Sequence, residues 1–149
     1  MKLILIPIAV VTLMSCSLLP GNDIPEKDVP SVVKNSFTKE YPEAVDVEWE
    51  KHKDNFEVDF EVGNADYTAL YSADGKVIME KQDIAVDALP VAVANKLKES
   101  YADLKVDDVD KLEKDGNTYY QVDLEGGITD KNEIFSEDGA IVENVKYWD

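Results

Sequence analysis

The stretch Phe56–Val77, FEVDFEVGNADYTALYSADGKV, decides the fold when it is set beside Tyr120–Ile141, YQVDLEGGITDKNEIFSEDGAI. At a fixed offset of 64, Val58, Asp59, Glu61 and Gly63 recur as Val122, Asp123, Glu125 and Gly127, and Ser72, Asp74 and Gly75 recur as Ser136, Asp138 and Gly139. A strand-like run, a gap and a D-G turn in the same order point to two copies of one structural unit. Gly75 and Gly139 sit where the turn calls for positive φ.

Working outward, Phe56, Val58, Phe60 and Val62 alternate with Glu57, Asp59 and Glu61, and Val45, Val47 and Trp49 alternate with Asp46, Glu48 and Glu50. Period two over both runs predicts antiparallel strands with one apolar and one wet face. Tyr67–Tyr71 and Val77–Lys81 read as a third and fourth strand. Before each set lies a helical stripe. Val29, Val32, Val33, Phe37 and Tyr41 form one, with Asp28 as cap and Pro30 in the first turn. Leu89, Val93, Leu97 and Tyr101 form the other, after Asp87 and with Pro90, at an offset of 60. The second strand set is Val106–Glu113, where Val109 and Leu112 fall out of phase and suggest a bulge, then Tyr119–Glu125, Ile128–Phe135 and Ala140–Trp148. The expected fold class is α+β, a duplicated helix plus four-stranded antiparallel meander (α-β4-α-β4) with the helices packed on one face of the sheet.

The 149 residues carry 32 Asp and Glu against 15 Lys and Arg, a formal net charge of −17. That balance argues against nucleic-acid binding, which needs clustered cations to neutralise phosphate, and favours solubility and cationic partners. A single cysteine, Cys16, excludes an intrachain disulfide. A single histidine, His52, excludes a His-rich metal centre. It stands between Lys51 and Lys53 at a hairpin turn and reads as a surface residue.

Lys2 followed by the apolar run Leu3–Leu13 has the form of a signal sequence, too short to span a bilayer. Leu13-Met14-Ser15-Cys16 resembles the lipobox of bacterial lipoproteins, in which the cysteine becomes the acylated N-terminus. The chain's lone cysteine falls at that position, although Met14 departs from the commoner small residue. The resemblance implies a leader over 1–15 and a lipidated N-terminus at Cys16; the aperiodic stretch that follows reads as a tether, giving 16–27 together, and the repeat sets a domain over 28–149 whose copies span about 28–85 and 86–149. Ser17 after the cysteine implies the outer membrane, facing the periplasm.

A helix with an early proline, the FEVDFEVG-type strand and the Y/F-S-x-D-G turn together resemble the PepSY-like, β-lactamase-inhibitor-like family of periplasmic proteins, over about Asp28–Trp148. The resemblance implies a joined sheet with helices against one face. It carries over no catalytic residue and does not by itself establish inhibition.

The residues support no catalytic constellation. Asp59–Asp66 offers oxygens and a glycine but not the terminal Glu of a calcium loop. Asp59 and Glu61 lie on one wet strand face, where neither opposes the other across a cleft as a glycosidase pair must. There is no phosphate loop. We therefore expect no enzyme, no cofactor and no metal. The reading is a lipid-anchored binding protein that engages a protein or peptide through an open sheet face. Candidate binding residues are Glu57, Asp59, Glu61, Asp123 and Glu125, with Tyr147 and Trp148, adjacent aromatics of which one faces outward. The alternatives are a structural envelope protein without a specific ligand, or an inhibitor of a periplasmic hydrolase.

Overall fold

In the computed structural model the described residues are 22–126 and 129–148. The expected leader over 1–15, Cys16 and the tether as far as Gly21 lie outside them. Among the described residues no helix is long and apolar enough to cross a membrane.

The chain forms one seven-stranded antiparallel sheet in sequential order. Helix α1 (Ser31–Glu40) precedes β1 (Val45–His52), β2 (Asn55–Val62), β3 (Ala65–Ser72) and β4 (Val77–Asp83). Helix α2 (Val91–Ser100) precedes β5 (Lys105–Lys114), β6 (Asn117–Glu125) and β7 (Lys131–Ser136). The two halves join through the β4–β5 ladder, from Met79↔Lys114 to Asp83↔Asp110.

This overturns the expected pair of four-stranded meanders. The molecule is mostly sheet, and each ten-residue helix buries only two of its side chains, Val33 and Phe37 in α1, Val93 and Leu97 in α2. The eighth strand does not form. Ile141 makes a single bridge to Phe135, Val142 N–H donates to the Ile134 carbonyl at 2.8 Å, and the chain then leaves the edge. The reason lies in the spacing of its apolar residues. Val142, Val145 and Trp148 recur every third position, so an extended strand would throw Val145 to the opposite side from the other two. A non-strand path lets all three reach one cluster with Leu70, Leu112 and Ile134.

That cluster lies on the sheet face opposite the helices. On the helix side, Val29, Val33 and Phe37 meet Trp49, Phe56, Val58, Phe60, Ala69 and Tyr71, while Leu89, Val93 and Leu97 meet Val109, Tyr120, Val122, Leu124 and Phe135. Phe37 is the hub of the first group, with edge-to-face contacts to Trp49 at 5.4 Å and to Phe60 at 5.0 Å. Burial on both faces explains why Ala69, Leu70 and Tyr71 are consecutive buried residues. It also explains Val109 and Leu112, which point to opposite faces and are each covered; the irregularity of β5 falls earlier, between Val106 and Asp108.

The helix starts also differ from expectation. Glu26–Asp28 and Val86–Ala88 are 3-10 turns, and Pro30 and Pro90 occupy the N-cap positions without a side-chain cap bond. Proline holds the residue before it extended, which turns Val29 and Leu89 into the core.

In both D-G turns the serine hydroxyl donates to the aspartate, Ser72 to Asp74 and Ser136 to Asp138, each at 2.5 Å. Gly75 and Gly139 have φ of +81° and +83°. Each tucks beneath a helix. A Cβ on Gly75 would stand 2.9 Å from the Val32 carbonyl oxygen, and one on Gly139 would stand 2.7 Å from that of Ala92. Gly63, at φ +68°, has open space instead. We expect Gly63→Ala to cost about 1 kcal/mol from backbone strain alone. Gly75→Ala and Gly139→Ala should each cost about 2 kcal/mol or more, since a steric clash is added. Denaturant titration of the three variants checks the order; equal costs would show that the helix contact contributes nothing.

Candidate functional site

Directly paired residues of an antiparallel ladder share a face, so the registers define the surface opposite the helices row by row. One row runs Glu50, Glu57, Leu70, Met79; the next runs Glu48, Asp59, Thr68, Lys81, Leu112, Tyr119. Further along lie Asp110, Gln121 and Ile134, then Asp123. The face is therefore acidic over β1 and β2, apolar in the middle and acidic again over β6.

The C-terminal tail crosses that apolar middle and is fastened by Trp148. Gln121 holds the tail's backbone with both ends of its amide. Its Oε1 accepts from the Trp148 N–H at 2.8 Å and its Nε2 donates to the Trp148 carbonyl at 3.1 Å. The Lys81 ammonium donates to the same carbonyl at 3.1 Å. The indole Nε1–H donates to Glu57 Oε2 at 3.0 Å. Asp110 sits beneath, accepting from Gln121 Nε2 at 3.3 Å and lying 3.6 Å from Lys81 Nζ. Gln121 is fully buried, and Asp110 and Glu57 nearly so.

The seven candidate residues thus divide. Glu57 and Trp148 are brought together, but as bonded partners inside the structure. Tyr147 is half-buried and packs against the same cluster. Asp59 accepts from the Thr68 hydroxyl at 2.6 Å and, with Glu61, stays partly exposed. These two join Asp46, Glu48, Asp66, Tyr67 and Thr68 around a shallow depression of about 370 Å³. Asp123 and Glu125 stand apart on β6, where Glu125 lies 3.9 Å from Lys105 Nζ. Gln121, Asp110 and Lys81 escaped sequence reading. A polar residue in the outward phase of a strand carries no mark of whether water or another segment will cover it.

His52 is a partly exposed surface residue, as expected, but it does not stand alone. Its Nε2 lies 3.2 Å from Glu50 Oε2 and 3.6 Å from Glu57 Oε2. On the helix side, Tyr41 at the end of α1 donates to Glu80, and Tyr101 at the end of α2 donates to Glu133 at 2.8 Å. Burial and the Glu133 bond push the Tyr101 hydroxyl up to about 12. The two tyrosines tie the helix ends to the sheet.

Burial also holds Glu57, Glu80 and Asp110 above the ordinary carboxylate range, although the indole bond of Glu57, the Tyr41 bond of Glu80 and the Lys81 charge beside Asp110 oppose it. A carboxylate whose folded-state pKa is raised contributes stability that is complete below its unfolded pKa and is lost as pH rises through the folded value. Melting temperature should therefore rise as pH is lowered from neutral towards the ordinary carboxylate value of about 4. Glu57→Gln keeps an acceptor for the indole and should flatten that rise. A melting temperature that falls throughout this window would contradict the assignment.

The sequence matches, in two overlapping stretches, 19–79 and 54–142, the family described as "Putative beta-lactamase-inhibitor-like, PepSY-like". The chain belongs to this family. Among solved structures, it is similar to a BLIP-like protein from Bacteroides fragilis NCTC 9343, at 25% identity and a TM-score of 0.70, with 84% of this chain and 94% of that chain covered. A DUF2874 family protein from Bacteroides uniformis ATCC 8492 aligns at 22% identity and a TM-score of 0.72, over 76% of this chain and 86% of that one. A protein from Bacteroides eggerthii DSM 20697, described as a "putative periplasmic" protein, aligns at 21% and 0.73, over 77% and 86%. No curated protein matches. The two less identical structures bear on the fold alone.

Proposed function

We propose that the chain is a lipid-anchored periplasmic binding protein that engages a basic segment of a protein or peptide, without catalysis. The observation that carries this reading is the depression over β1, β2 and β3, where Asp46, Glu48, Asp59, Glu61 and Asp66 converge on a chain of net charge −17. Carboxylates gathered at one surface steer a cationic partner and set its register more than they add raw affinity. Asp123 and Glu125 form a second acidic margin across the sheet, and Tyr147 lies between the two margins. The two halves, with the same helix starts and the same turns, are read as copies of one unit.

The family description and the BLIP-like structure favour a protein partner, and inhibition of a periplasmic hydrolase is the narrower form of that reading. The periplasmic setting and anchoring at the outer membrane are read from the signal-like run Leu3–Leu13, the lipobox-like Leu13–Cys16 and Ser17.

Two measurements test the proposal. The variant Asp59→Asn, Glu61→Gln, Asp66→Asn should fold as stably as the wild type or better, because like charges on neighbouring strands repel by up to about 1 kcal/mol each. It should capture markedly less of any stoichiometric partner from an envelope extract at low salt, and the wild type should lose capture as salt rises. Equal capture by both proteins would remove the depression from the function. Separately, Cys16→Ala should leave the detergent phase for the aqueous phase or accumulate as an unprocessed precursor. Partition of the wild type into the aqueous phase would refute the anchor.

A further inference from the structure

The β1–β2 hairpin carries a second feature, distinct from the acidic depression. Its two-residue turn closes on the pair His52↔Asn55, two steps from the directly opposed Glu50↔Glu57. Period two along β1 places Glu50 and His52 on one face, and the cross-strand pairing sets Glu57 beside them. One ligand atom from each of Glu50, His52 and Glu57 lies within 4.8 Å of the other two.

We propose that Glu50, His52 and Glu57 bind one divalent transition-metal ion of the zinc class, leaving a fourth position for water or an incoming ligand. The geometry suits a small tetrahedral ion. Bonds of about 2.0–2.1 Å at tetrahedral angles separate neighbouring donors by about 3.3–3.4 Å. The distances from His52 Nε2 to the two carboxylate oxygens, 3.2 Å and 3.6 Å, bracket that value.

The charge pattern asks for a cation. Glu50 and Glu57 face each other across the ladder, an arrangement that costs stability when both are ionised. The ion pairs that these two carboxylates make among the described residues are both with His52. Lys51 is turned to the other face, its Nζ 4.7 Å above the Phe56 ring. A divalent ion would neutralise both carboxylates while taking the neutral imidazole as a ligand.

The surroundings are also built for ligation. All three donors stand on paired strands, which hold a ligand set more firmly than loops do. Glu57 is nearly buried and its carboxylate is oriented by the Trp148 indole N–H, the kind of outer contact that fixes a metal-bound carboxylate. An imidazole donor in a three-ligand set selects transition metals over Ca²⁺ and Mg²⁺, which take oxygen ligands in larger number or keep their waters.

The test is calorimetric titration of the purified protein with zinc chloride, and separately with calcium chloride, for the wild type, His52→Gln and Glu50→Gln. Both substituted side chains are partly exposed, so the variants should fold, and their melting temperatures without metal check this. We expect one Zn²⁺ per chain, no competition from equimolar Ca²⁺, and affinity lowered roughly tenfold or more in each variant, as loss of even an outer-shell partner costs about 10–100-fold. Trp148→Phe should weaken binding less than either. Absence of a stoichiometric Zn²⁺ site, isotherms unchanged in both variants, or equal competition by Ca²⁺ would each overturn the proposal and leave only a diffuse cation atmosphere around an acidic chain.

Discussion

The structure depends on the ladder between β4 and β5. Five paired positions turn two helix-led units into one continuous sheet and remove the inner edge that each would otherwise expose. The joined sheet is wide, and two short helices reach only the flanks of one face. The central strands of that face accordingly carry polar residues such as Glu80 and Glu113. The other face has the opposite problem, because Leu70, Leu112 and Ile134 form an apolar centre that needs a cover. The last residues of the chain supply it.

Covering that centre brings polar groups out of water, and each is matched. The Gln121 amide, the Asp110 carboxylate, the Lys81 ammonium and the Glu57 carboxylate all meet the tail or one another, and among the described residues no buried side-chain polar atom is left without a partner. Such a network is worth little more than the water it replaces when complete, and costs about 1–3 kcal/mol per group when broken. It therefore defines where Trp148 lies more sharply than hydrophobic burial alone would. The same arrangement makes Glu57 a junction: it orients the indole on one side and meets His52 on the other.

Much of this was legible before the structure. The alternation in Phe56–Val62 and Tyr120–Leu124, the helical stripes and the glycines of the D-G turns follow from local periodicity, and local periodicity survives folding where one face is buried and the other wet. It misled where both faces are covered. Val109 and Leu112 looked like a break in phase because each is buried against a different layer. The tail looked like a strand because Val142, Tyr147 and Trp148 suit one, yet its three-residue spacing already marked a different path. The candidate surface was legible as charge but not as geometry: the sequence could not tell that Glu57 would be covered while Asp59 and Glu61, on the same strand face, remained open. His52 was harder still, since its neighbour Glu57 comes from the opposing strand.

The two ends of the described chain also meet the two outer strands. Near the start, Ile24 N–H bonds the Trp49 carbonyl and the Asn22 carbonyl accepts from Lys51, along the free side of β1. At the far side, Ile141 and Val142 pair with Phe135 and Ile134 of β7. Each outer strand thus has part of its unpaired backbone occupied by the chain itself. An open meander would offer those groups to any passing extended segment, and strand-by-strand growth into fibres begins that way. Short self-made borders of this kind shorten the template on both sides, so a sheet of this width can be held at high local concentration while remaining a discrete particle.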